Sequence, residues 1–235
     1  MVNPNFKFKN FIVGMSNKSA FEYAKTISKN PGKIFNPLFI CGEVAVGKTF
    51  LMHAIGNELK YNFPNFKVLY VTSEKFCYDF IEAIKSNNIS KFRNKYRNID
   101  CLLIDDIQFL TGKHNSQEEF RSLFNILKNN DKQIVITSDR HQDKLKIEEN
   151  LKTMFKHGKT VEILPPNLKI KTNILKEKAK EQNISIPKDV INFLAHRTND
   201  IRELQGILLR AIILHTFTKK TITLNMLRNN IEELE

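Results

Sequence analysis

NPLFICGEVAVGKTFLM, residues Asn36 to Met52, decides how the rest of the chain is read. Pro37 to Cys41 is a short apolar run, suited to a strand buried on both faces. It leads into Gly42-Glu43-Val44-Ala45-Val46-Gly47-Lys48-Thr49, which satisfies G-x-x-x-x-G-K-[ST] at every fixed position. From Lys48 onward Leu51, Met52 and Ile55 recur at the spacing of one helix face. Strand, loop and helix therefore follow in the order a phosphate cradle requires. Such a loop turns its backbone N–H groups around an anion, and glycine tolerates the close approach and the positive φ this needs. The helix start adds partial positive charge and donors without intrahelical partners. Lys48 is placed to reach the β- and γ-phosphates and the Thr49 hydroxyl to ligate Mg²⁺. Val44, Ala45, Val46 and Phe50 complete the expected nucleotide loop, with ATP or ADP and Mg²⁺ as its ligands.

A second apolar run, Cys101-Leu102-Leu103-Ile104, ends in Asp105-Asp106. An acid at the end of a parallel strand holds Mg²⁺ directly or through its water, so Asp105 is the expected metal residue beside Thr49. Asp106 is then placed to orient or deprotonate an attacking water.

Composition restricts the partners. The 235 residues carry 37 Lys+Arg against 25 Asp+Glu, a net charge of +12 and a pI near 9.5. That excess favours polyanions, nucleic acid or an acidic membrane surface, unless it reflects only a lysine-rich proteome. Cys41, Cys77 and Cys101 are odd in number and widely spaced, which fits small core residues in a reducing compartment. The six histidines show no metal-ligand spacing. No apolar run reaches the roughly 18 residues of a membrane span, and Met1 to Asn10 has no signal-peptide core. The expected location is cytoplasmic.

Around the nucleotide loop the chain alternates strands and helices. Phe6, Phe8, Phe11, Ile12 and Val13 form an aromatic lead-in that either packs as core or walls an adenine pocket. A helix is expected from Asn17 to Lys29, and strands at Lys67–Thr72, Gln133–Thr137 and Thr160–Ile163. Ser73 starts a helix with Phe76, Phe80, Ile81 and Ile84 apolar. Ile89 to Tyr96 carries Lys91, Arg93 and Lys95, followed by Arg97; basic and aromatic residues interleaved in this way either hold a nucleic acid or form a solvated face. Ser116-Gln117-Glu118-Glu119 reads as a capping box. Leu164-Pro165-Pro166 breaks the pattern. Beyond it only helices are expected, at Leu168–Glu181, Pro187–Arg197, Ile201–Phe217 and Leu224–Leu234, with Asp200 and Glu203 capping the third. The reading is α/β: a five-stranded parallel sheet in a domain over residues 1–165, then an all-helical domain over 166–235.

These residues resemble the AAA+ module of the bacterial replication-initiator (DnaA) family. The similarity runs from Phe11-Ile12-Val13-Gly14 to about Leu227. Beyond the P-loop it rests on Phe92-Arg93-Asn94-Lys95-Tyr96-Arg97 leading into Leu103-Ile104-Asp105-Asp106-Ile107-Gln108-Phe109, on Gln117-Glu118-Glu119-Phe120, and on Thr137-Ser138-Asp139-Arg140. The resemblance implies a P-loop AAA+ domain with a helical lid. It makes Asp139 sensor 1 and Arg202, in Ile201-Arg202-Glu203-Leu204, sensor 2 on the γ-phosphate. It puts Ile12 and Val13 beside the nucleotide, and single-stranded DNA against the Ser73–Arg97 insertion, with contacts at Ile81, Lys91, Arg93 and Lys113. Origin DNA and self-association through AAA+ interfaces are implied partners. Two relatives share the motifs, an Hda-like regulator that binds the sliding clamp and a loader of the replicative helicase, and these remain alternatives. Ala45 stands where the family has its middle glycine. Asn150 and Met154 stand where it has two arginines, the second being the finger that completes a neighbour's ATP site. At most slow ATP hydrolysis is therefore expected. The family continues into a helix-turn-helix domain beyond the point matching these last residues, so duplex sequence reading is not expected of them.

Overall fold

A computed structural model describes residues 1–218 and 221–227. The apolar runs form strands: β1 (Leu38–Cys41), β2 (Val68–Thr72), β3 (Cys101–Asp105), β4 (Gln133–Ser138) and β5 (Lys159–Glu162). Every pairing is parallel, and the sheet order is β2-β3-β4-β1-β5. Every residue of β1, β3 and β4 is buried, whereas the edge strands β2 and β5 are mixed. A strand covered on both faces tolerates an unbroken apolar run, which is why these three central strands were the plainest in the sequence.

The chain divides into two compact units. The first comprises Met1–Phe11, Asn17–Glu43 and Gly47–Ile163; the second comprises Ile12–Ser16, Val44–Val46 and the chain from Leu164. In the first unit the helices are α1 (Lys18–Lys29), α2 (Lys48–Asn62), α3 (Ser73–Lys85), α4 (Ile89–Arg97), α5 (His114–Asn129) and α6 (Glu149–Lys156). Its aromatic core gathers on Phe76, whose ring meets Phe92 at 5.4 Å, Tyr96 at 5.1 Å and Phe120 at 5.7 Å. Helix α2 lies close to the sheet because Gly56 has no side chain. A Cβ there would come within 2.6 Å of Val2 and 2.8 Å of Leu103. The N-terminal residues are clasped onto the same helix. Asn57 Nδ2 donates to the carbonyls of Asn3 and Phe6 at 2.7 Å each, and the Phe6 ring stacks on Phe50 at 4.6 Å.

The second unit holds α7 (Leu168–Glu181), α8 (Lys188–Arg197) and α9 (Ile201–Thr218), packed through Leu175, Leu194, Leu204 and Leu208. Asn167 caps α7 by accepting the Ile170 N–H at 3.0 Å. Asp200 caps α9, accepting the N–H groups of Arg202 and Glu203, but the expected share of Glu203 in the cap falls to Thr198, whose hydroxyl oxygen accepts the Asp200 N–H at 3.1 Å. Lys171, 7% exposed, donates to the Thr198 carbonyl and to Asn199 Oδ1, both at 3.1 Å, and so fixes the turn into α9. Residues 224–227 are helical; the rest of the expected Leu224–Leu234 helix lies outside the described residues.

Two further local expectations are corrected. The capping box at Ser116–Glu119 does not form. Helix α5 already begins at His114, Ser116 is buried in its first turn, and Lys113 is the N-cap, with no side-chain cap bond. The Glu119 carboxylate is instead drawn to Arg93 on α4. Asp106 falls just past β3, at φ 57°, in the left-handed region that a non-glycine residue seldom adopts.

Candidate nucleotide site and nucleic-acid face

Helix α2 starts where the glycine-rich loop ends. Gly47 is its N-cap at φ 103°, a conformation closed to most side chains, and a Cβ there would already stand 3.3 Å from the Phe11 ring. Lys48 is 7% exposed, and its ammonium donates to the carbonyls of Gly42 at 2.7 Å and Glu43 at 2.6 Å. A buried cation so held at the mouth of a turn, beside a helix N-terminus, is arranged for an anion. Ala45 sits in the loop at φ 63°. A left-handed alanine costs on the order of 1 kcal/mol, which glycine at that position would avoid.

Across the carboxyl ends of the strands lie the acidic residues. Asp105 is 2% exposed, and both of its oxygens are engaged. Tyr70 OH donates to Oδ2 at 2.9 Å and the Thr137 hydroxyl to Oδ1. Burial, and then the Asp105 charge, pushes the Tyr70 phenol pKa up, so it stays a donor throughout the physiological range. The left-handed Asp106 is held by its N–H to Thr137 Oγ1 at 2.9 Å and by the Ser73 hydroxyl on its carbonyl; Gln108 Nε2 donates to its carboxylate at 3.0 Å. Backbone strain held by three partners suits a residue that must present a side chain in one direction.

Asp139 follows β4 and pairs with its own neighbour, Arg140, through bonds of 2.7 and 2.5 Å. Those bonds hold its carboxyl below the usual carboxylate range, outweighing partial burial, and the Lys48 charge adds to the effect. Arg202 lies exposed in the first turn of α9. All three cysteines are free and buried, and burial raises the Cys41 thiol to about 11.

Thr49 and Asp105 each carry a hard oxygen of the kind Mg²⁺ takes. Mg²⁺ is typically held by one or two protein oxygens, with water and phosphate completing the shell.

The aromatic lead-in packs. Phe11 lies parallel to Phe21 at 6.0 Å and tilted on Phe50 at 5.4 Å; Ile12 is half-buried and Val13 exposed.

On the basic stretch the interleaving is resolved by burial. Phe92 and Tyr96 point into the core, so they are not available to stack on bases. Lys95 pairs with Asp79 at 2.6 Å, and Arg93 makes a two-pronged bond to Glu119 at 3.0 and 2.8 Å. Lys91 and Lys113 are exposed. Ile81 is exposed on α3, in company with Tyr78 and Ile84. The spacing of positions 78, 81 and 84 runs opposite the buried Phe76, Phe80 and Ala83, the signal that adds Tyr78 to this face. Tyr70 and His53 carry no local signal in the sequence, and Thr137 enters it only within the Thr137–Arg140 motif. Their positions relative to Asp105 follow from strand neighbours and from packing between elements.

The profile of the bacterial DnaA ATPase domain matches residues 2–162. The chromosomal replication initiator protein DnaA of Caldanaerobacter subterraneus subsp. tengcongensis is 43% identical over 235 residues, 99% of this chain and 53% of that relative. The chain thus spans about half the length of that curated relative. The crystal structure of domain III from the Thermotoga maritima replication initiation protein DnaA superposes with a TM-score of 0.95 at 36% identity, covering 99% of this chain and 98% of the other. A replication initiator DnaA bound to AMPPCP and single-stranded DNA superposes with a TM-score of 0.87 at 38% identity, over 99% of this chain and 70% of that one.

Proposed function

We propose, from the premise that this chain belongs to the family of bacterial DnaA ATPase domains, that it is the nucleotide-switched AAA+ module of a replication initiator. It binds ATP and ADP through Gly42–Thr49 and assembles with copies of itself on single-stranded origin DNA. The observation that carries this is Lys48, a buried ammonium held by the carbonyls of Gly42 and Glu43 at the start of α2. Those carbonyls keep the side chain at the loop mouth, and phosphate oxygens replace them when nucleotide enters. The exposed Arg202, on a helix whose start is fixed by Asp200 and Lys171, reports the γ-phosphate to the helical unit.

Thr49 and Asp105 hold Mg²⁺, which when bound neutralises charge on the β- and γ-phosphates. Asp106 positions the attacking water, and Asp139 senses the phosphate end of the nucleotide. Hydrolysis is slow because Met154 is half-buried against the core and offers no charge to a neighbouring site. Single-stranded DNA runs over Ile81 and Tyr78 on α3, with Lys91, Arg93 and Lys113 on its phosphates. A related initiator seen with AMPPCP and single-stranded DNA supports single-stranded DNA as a ligand, and the net charge of +12 favours a polyanion.

Calorimetry of ATP and ADP binding to the wild type and to Lys48→Ala tests the central assignment. The variant should lose binding of both nucleotides while keeping its circular dichroism spectrum. Equal ATP affinity in the two proteins would sink it.

A further inference from the structure

Asp105 is gripped from both neighbouring strands. Tyr70 of β2 donates to one carboxylate oxygen at 2.9 Å, and Thr137 of β4 donates to the other. The Thr137 oxygen accepts the Asp106 N–H at 2.9 Å, which leaves its single proton to point at Asp105. The Tyr70 ring is braced in turn. His53, one helical turn after Thr49 on α2, lies 4.2 Å from it, and His53 Nδ1 accepts the Asn3 N–H at 3.2 Å.

A terminal carboxylate torsion is broad when nothing holds it. A carboxylate has about four lone-pair sites. Here one site on each oxygen is taken by a hydroxyl carried on a neighbouring strand, which restrains the plane of the group and leaves a lone pair on each oxygen for a ligand. Groups that orient a metal-ligating carboxylate typically change metal affinity by about 10- to 100-fold when removed.

We infer that Tyr70 and Thr137 are positioning residues for Mg²⁺, holding the Asp105 carboxylate in the one orientation that binds the ion with nucleotide. The inference rests on the assignment of Asp105 to Mg²⁺ made above. Both hydroxyls donate to Asp105 and act through it. The brace from His53 to Tyr70 ties this orientation to α2, the helix that also carries Lys48 and Thr49.

The test is calorimetric ATP binding with Mg²⁺ and with EDTA, for the wild type, Tyr70→Phe, Thr137→Val, Thr137→Ser and Asp105→Asn. The ratio of the two affinities measures the contribution of the ion without any turnover. Tyr70→Phe and Thr137→Val should each reduce that ratio by about tenfold or more, with affinity in EDTA unchanged within about twofold, and Thr137→Ser should restore the wild-type ratio. If affinity falls equally with and without Mg²⁺, the hydroxyls only support the fold and the inference is overturned. It is also overturned if Asp105→Asn collapses the ratio while Tyr70→Phe and Thr137→Val leave it intact. If Asp105→Asn itself leaves the ratio at the wild-type value, the assignment of the ion to Asp105 fails, and the inference with it. Circular dichroism on each variant, with Thr137→Val standing beside Tyr70→Phe, keeps the result independent of one variant's folding.

Discussion

Replacing Arg93 with alanine leaves the Glu119 carboxylate, 7% exposed, without its cation. The pair consists of two bonds, 3.0 and 2.8 Å, tying α4 to α5 beside the Phe76 cluster. Hydrogen bonds to charged groups contribute about 1.5–3 kcal/mol when well buried. The guanidinium is 44% exposed, so water screens it and the value falls to about 1–2 kcal/mol. In a chain of this size that is a drop in Tm of about 3–6 °C. Glu119→Ala should cost less, because it strands a half-exposed arginine and not a buried acid. A double-mutant cycle by urea unfolding should give a coupling of about 1–2 kcal/mol; single effects that sum to the double within about 0.3 kcal/mol would refute the pairing argument. The same variants separate folding from DNA binding. Arg93→Ala should weaken single-stranded DNA binding and lower its salt slope by about one, whereas Glu119→Ala, which keeps the guanidinium, should not weaken it. Equal losses in both would mean that the DNA defect is only a consequence of instability.

Two further outcomes can be checked with the same protein. Burial lowers the pKa of His53, with the Asp105 charge opposing, so the unfolded chain takes up a proton near pH 6.5 before the folded one does. Stability should be intact above that value and fall as pH drops below it, and in Tm measurements from about pH 7.5 to about pH 5 the difference between wild type and His53→Gln should shrink in acid; a difference that grows in acid would reverse the assignment. For hydrolysis, Met154→Arg should raise turnover per molecule at high protein concentration, by as much as about 10³-fold if the arginine reaches a neighbour's phosphates. Wild-type turnover that already climbs steeply with concentration, unchanged by Met154→Arg, would give the role to another residue such as Arg140 or Arg197.

What could be read in the sequence was local and periodic. Leu38–Cys41 and Cys101–Ile104 announce central strands because both faces are covered, and the glycine spacing of the loop declares its backbone. Helix α7 matches its expected bounds, Leu168–Glu181, because Asn167 and the preceding prolines mark its start. What was hidden is decided between elements. The α4 aromatics look the same whether they face DNA or Phe76, and only the packing of α3 against α4 turns Phe92 and Tyr96 inward. Glu119, read as half of a local cap, lies inside α5 and pairs with Arg93 of α4, an attraction across elements that a local cap rule cannot register. The grip on Asp105 depends on strand register and on where α2 lies, neither of which any window of sequence contains.

The clasp at the N-terminus has a mechanical meaning. Val2, Asn3 and Phe6 are laid along α2 like a splint, seated against Gly56, bonded to Asn57 and stacked on Phe50. Asn57 stands about two and a half helical turns beyond Lys48. A tether, surface attachment or bulky fusion placed at Val2 therefore loads the phosphate helix directly. A small fluorophore on Asn5, which is exposed between the clasped residues, would stand beside the splint without replacing any of its contacts to the helix.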